Sequence, residues 1–151
     1  MRKAFLLSSL ALVLFANSAS AQLRLPVIVP LRGAVQPPLQ GIDALRADFL
    51  ARSGADTVYF GSDNAILGAP ATAILQAQAL WLRQHPELVV RIEGHADSSD
   101  TRDHALAIGA RRAEAVRDYL VLIGVPAAQL GIMSWGKERP GPPRAVTVLV
   151  R

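Results

Sequence analysis

The chain of 151 residues has no cysteine, which excludes disulfides, thiol catalysis and thiolate metal sites. Aromatic residues make up only 5%, so the stacking platforms that single-stranded nucleic acids use are lacking. Basic residues form no run. The formal charge of +4 includes Arg2 and Lys3 at the start of the chain, and nothing later resembles a basic stripe, so nucleic acid is not an expected partner. Long apolar runs are also missing. The longest, Ala4 to Ala16, is too short to cross about 30 Å of hydrocarbon, and no second one follows it.

What the N-terminus does contain is a basic start, that apolar run, and Asn17-Ser18-Ala19-Ser20-Ala21. Small residues at both positions of an A-x-A site make residues 1–21 a cleaved signal peptide, with Gln22 as the mature N-terminus. The mature chain is then an exported protein with no transmembrane span, and a lipid anchor is excluded because no cysteine follows the cleavage point. Residues 22–40 hold Pro26, Pro30, Pro37 and Pro38. Prolines lack a donor and push their predecessors out of helix, so this stretch is an extended arm or linker. Its segment Leu25-Pro26-Val27-Ile28-Val29-Pro30-Leu31 is apolar enough to hold an envelope protein partner.

About 130 residues remain after the leader, enough for one domain whose core needs no staple. Residues 41–54 predict a short helix, with Leu45, Phe49 and Leu50 at one-turn spacing. Residues 55–151 read as strand Thr57–Phe60, a polar loop at Gly61-Ser62-Asp63-Asn64, and a helix from Pro70 to about Gln84. Next come a strand from Leu88 to Glu93, a long central helix, and strands at Ile132–Trp135 and Ala145–Val150. The order β-α-β-α-β-β is that of an α+β domain with a mixed sheet covered by helices. In the alternation of the second strand, Leu88, Val90 and Ile92 are core, and Val89, Arg91 and Glu93 look away.

At 100° per residue, Leu106, Gly109, Ala113, Val116, Leu120 and Ile123 share one face of the central helix. Gly109 there costs about 1 kcal/mol relative to Ala, which close approach to the sheet explains. Arg112 falls on the flank, in a column with Ala105, Ile108 and Tyr119, with its head free to leave the apolar surface. Asp97, just past the second strand, is either a loop or capping carboxylate or one pole of a ligand site. Arg112 is either its structural ion-pair partner or the opposite pole.

Gly94-His95-Ala96-Asp97, then Gly109-Ala110-Arg111-Arg112-Ala113, Val116 and Tyr119-Leu120, resemble the signature of the OmpA-like C-terminal domain. Val58-Tyr59-Phe60 with Asp63, Gly124-Val125-Pro126, and Ser134 to Pro140 extend the match over residues 56–151, nearest to the peptidoglycan-associated lipoprotein branch. The resemblance implies noncovalent binding of the peptidoglycan stem peptide, and of its diaminopimelate group in particular, in the periplasm near the outer membrane or cell wall. It assigns Asp97 to the ligand's ammonium and Arg112 to its carboxylate, where a guanidinium fork makes paired bonds that lysine cannot. Asp63 borders the same pocket, and Ile108 is counted as a fourth ligand-binding position. No catalytic residue, metal or cofactor is implied.

Two departures stand between these poles. The family usually has glycine at Asp100 and asparagine at Ala105, and its loop before the last strand is longer than Gly141-Pro142-Pro143-Arg144. One lost neutral hydrogen bond is worth about 0.5–1.5 kcal/mol, roughly three- to tenfold in affinity. The alternative function is accordingly a divergent module with weakened wall binding that acts as a periplasmic protein-interaction domain. An enzyme built on His95, Asp97 and Ser98 or Ser99 lacks a nucleophile elbow. A metal site at Asp97, Asp100, Asp103 and His104 lacks the spacing of a calcium loop.

Overall fold

The computed structural model describes residues 41–150; the signal peptide, the Pro-rich arm and Arg151 lie outside the described residues. Helix α1 (Ile42–Ser53) closes on Gly54, whose left-handed φ of 77° lets its N–H reach the Leu50 carbonyl. Strand β1 (Thr57–Tyr59) leads through the polar loop to α2 (Ala69–Gln84), which carries Pro70 in its first turn, where a missing N–H costs nothing. Strand β2 (Val90–His95) leads into α3 (Arg102–Leu122), and β3 (Leu130–Gly136) and β4 (Arg144–Leu149) finish the domain. Thr101 caps α3 by accepting from the His104 N–H at 3.4 Å.

The four strands form one mixed sheet in the order β1-β4-β2-β3. β2 and β3 are parallel and joined through α3, while β4 lies antiparallel to both β1 and β2. The expected α+β class, element order and mixed sheet all hold. Val58, Val90, Ile92, Ala145 and Leu149 point to the helices and are buried with Leu75, Trp81, Leu82, Val116 and Leu120. Full burial of a large apolar side chain contributes about 1.5–3 kcal/mol, so this face carries most of the stabilisation.

Several strand boundaries and the exposure of Glu93 differ from the sequence reading. β2 starts at Val90, not Leu88, because Leu88 N–H closes a turn on the His85 carbonyl after Pro86; it then runs on through His95. β3 is longer at both ends than Ile132–Trp135, and β4 begins one residue earlier than Ala145. Glu93 points away from the helices as alternation requires, yet it is buried. One carboxylate oxygen accepts from Arg91 (2.6 Å) and the other from Arg139 (2.8 Å), whose guanidinium stacks 3.8 Å above the Trp135 ring. The segment after β3 therefore covers part of the face that alternation alone marks as solvent.

Gly94 of β2 and Gly109 of α3 meet with no side chain between them. A Cβ on Gly94 would fall on the Gly109 carbonyl oxygen, and one on Gly109 would strike the Ser134 hydroxyl. The expected close approach is thus present. It shifts the buried arc of α3: Ala105, Ile108 and Arg112 are buried beside Gly109, Ala113, Val116 and Leu120, while Leu106 is 37% exposed.

Candidate functional site

The β1–α2 loop, the β2–α3 loop and the N-terminal half of α3 meet at one end of the sheet, around Arg112. This guanidinium is not the free head that its flank position suggests, for the residue is 1% exposed. Its Nε donates to the Asn64 carbonyl (2.8 Å), Nη1 to the His95 carbonyl (2.8 Å) and Nη2 to the Gly61 carbonyl (3.0 Å). Phe60 lies 5.7 Å below its charge. Arginine carries five N–H donors, so three are spent on backbone and two are left. The ion pair with Asp97 that spacing offered as the structural alternative is absent.

Burial in a low-dielectric site lowers the Arg112 pKa, and Asp97, then Asp100 and Asp63, act in the opposite direction. Three carboxylates thus surround one buried cation, with no direct contact to it. Asp97 is half-buried at the end of β2, where the Ala96 N–H still pairs with the Gly136 carbonyl at 2.8 Å. Its carboxylate has no hydrogen-bond or ion-pair partner among the described residues. Asp63 is exposed, in the left-handed region (φ 51°), and its Oδ1 is 2.6 Å from the Nε2 of His104. A left-handed conformation is uncommon for residues other than glycine, with aspartate among the more tolerant.

Ile108 is 3% exposed and forms a small apolar cluster with Ala96 and Ala105, separate from the main core. Ala105 is completely buried there, so the position that carries asparagine in the resembled family is here part of a dry floor. Asp100 engages through its backbone: its carbonyl accepts from the Lys137 ammonium at 2.6 Å. The structure therefore brings Asp63, Asp97 and Arg112 to one end of the domain, with Ile108 beneath them.

His95 joins this end to the opposite face of the sheet. Its carbonyl holds Arg112, while its imidazole, 1% exposed, has an Nδ1 without a partner. Burial, then the positive charge of Arg144, lowers its pKa to about 4, against a smaller raising effect of Glu93 and with Arg139 adding to the fall. A neutral buried ring with no serine hydrogen-bonded to it is not part of a catalytic triad.

Sequence reasoning missed the His104–Asp63 contact and the three carbonyls on Arg112. The partners lie 41 to 51 residues away for all but His95, beyond any local periodicity. The one available signal was His104 itself, a titratable residue in the first turn of α3, which was weighed only as a metal ligand. Among the described residues no group of three or more acidic or histidine side chains is placed to hold a metal ion.

The model of the OmpA family matches residues 59–146. The peptidoglycan-associated lipoprotein of Rhizobium meliloti is 47% identical over 93 residues, which are 62% of this chain and 52% of that protein. Its counterpart in Agrobacterium fabrum is 45% identical over the same lengths. The chain spans about half the length of these curated relatives. Among solved structures, the peptidoglycan-associated lipoprotein of Burkholderia pseudomallei superposes with a TM-score of 0.62 at 36% identity, covering 64% of this chain and 92% of that one. The C-terminal domain of MotB from Helicobacter pylori, at 17% identity and a TM-score of 0.57, covers 64% of this chain and 84% of its own and shares the fold.

Proposed function

Because the chain belongs to the OmpA family, we propose that its loop end binds peptidoglycan noncovalently in the cell envelope, through the diaminopimelate group of the stem peptide. The observation that carries this reading is the unequal satisfaction of the site's charges. Arg112 keeps two donors beyond its three carbonyl bonds, and the Asp97 carboxylate has no partner among the described residues. A ligand with an ammonium and a carboxylate on one carbon complements both. The carboxylate takes the remaining guanidinium N–H groups, whose planar fork suits a carboxylate better than a lysine ammonium does. The ammonium takes Asp97 and Asp63, whereas Ile108, buried with Ala96 and Ala105, offers the ligand almost no surface. The name of the relatives, peptidoglycan-associated lipoprotein, supports peptidoglycan as the polymer bound. Attachment by a lipidated cysteine does not apply to these 151 residues, which contain none.

Co-sedimentation with purified sacculi tests the proposal. Wild type pellets, Asp97→Ala stays in solution, and a soluble stem peptide with lysine in place of diaminopimelate competes poorly because it lacks the distal carboxylate. Arg112→Lys, with folding checked by circular dichroism, is the matching variant at the other pole. Equal pelleting of all variants removes Asp97 and Arg112 from the wall-binding site. Wild type remaining in solution leaves the protein-interaction module as the better reading.

A further inference from the structure

We propose that His104 is a positioning residue of this site, setting how much of the Asp63 charge is available to a ligand ammonium. The inference rests on the wall-binding reading above and adds a specificity element to it. Its basis is the 2.6 Å contact between His104 Nε2 and Asp63 Oδ1, which ties the β1–α2 loop to the first turn of α3. The same loop delivers the Gly61 and Asn64 carbonyls to Arg112, on either side of Asp63. His104 therefore fixes the carboxylate by one oxygen and leaves Oδ2 free to meet the ligand.

The protonation state of the ring decides what that fixation does. A neutral imidazole donates one hydrogen bond and leaves the carboxylate its full negative charge. An imidazolium neutralises Asp63 and repels an ammonium brought beside it. The other charged groups at this end are Asp97 and Asp100 on the β2–α3 loop, Asp103 beside His104 in the first turn of α3, Lys137 on the Asp100 carbonyl, Arg112, and Arg102 paired with Glu138. Carboxylates, lysines and arginines ordinarily titrate well outside pH 5.5–7.5, whereas imidazoles titrate near 6.5. Of the chain's three histidines, His85 stacks on Trp81 at the far end of α2, and His95 is buried and neutral down to about pH 4. His104 is the one in contact with Asp63.

Calorimetric titration of the full chain with a soluble diaminopimelate stem peptide at pH 5.5 and 7.5 is the test. Wild type is expected to bind about two- to fivefold more tightly at pH 7.5, the range of an exposed ion pair. His104→Gln, which keeps a donor but never charges, gives a flat profile. His104→Lys, charged throughout, is flat at the weak, acidic level. A wild-type affinity that does not change with pH, or a His104→Gln variant that still titrates, overturns the role of His104 while the wall-binding reading stands. Absence of wild-type binding at both pH values, with Asp97→Ala indistinguishable, overturns both.

Discussion

Two buried charges, one on each side of the β2 strand end, are satisfied in opposite ways. On the open face of the sheet, Glu93 has both oxygens on guanidinium groups, and one of those guanidiniums is stacked on Trp135. At the loop end, Arg112 is equally buried but contacts only neutral carbonyls, with its three nearest influential carboxylates held off. A charge closed by opposite charges on every side is a finished structural element. A charge anchored by neutral dipoles keeps its field, and with it the capacity to attract an anion. The difference separates a charge closed by opposite charges from one still open to an anion within one domain, although both look alike as charged residues beside apolar positions.

The sharpest way to break this contrast is to remove each partner in turn. Arg112→Ala should have the largest effect, because it leaves three carbonyls and a cavity at the junction of two loops; a stability loss of about 3–5 kcal/mol in urea denaturation is expected. Next comes pH. The His95 pKa is depressed to about 4 in the folded state, against about 6.5 for an unfolded-chain histidine. The unfolded chain therefore takes up a proton between these values and the folded one does not. Stability is full above pH 6.5 and declines as pH falls towards 4, by about 2–3 kcal/mol. Comparison with His95→Gln isolates this contribution from that of the carboxylates.

Glu93→Gln should cost less, about 1–2 kcal/mol, since Arg91 and Arg139 are about half exposed and water takes over their solvation. A loss as large as that of Arg112→Ala would erase the distinction between the two regions. Asp97→Ala is the smallest in stability, within about 0.5 kcal/mol, because its carboxylate has no partner to abandon among the described residues. Yet it should abolish sacculus binding. Stability from thermal denaturation and binding from sedimentation should then rank these variants in different orders.

The element order, the mixed sheet and the Gly109 contact were legible from periodicity, because each depends on which residues share a face. The depth of Arg112 was not. A helical wheel gives its direction, flanking the apolar stripe, but the loop that closes over it comes from residues 61–64, about fifty positions earlier. Glu93 failed for the same reason: alternation turns it correctly away from the helices, while the covering Trp135 comes from β3 and Arg139 from the segment after it. Spacing singles out Asp97 and Arg112 but leaves them open between an ion pair and a ligand site, and Asp63 comes in only through resemblance to a family. The geometry excludes the ion pair. The binding roles rest on the charges that remain unpaired.

The glycine contact has a further consequence for how such a site tolerates change. Asp97 stands three residues after Gly94, and Arg112 three residues after Gly109. Where those glycines touch, backbone meets backbone, so the span between the two poles is gauged by main-chain atoms alone. Side chains around the pocket can then be exchanged, as at Asp100 and Ala105, without moving the poles relative to each other. Under the proposed wall-binding role, drift in the lining would retune what the site prefers while the ruler against which a ligand is measured stays the same length.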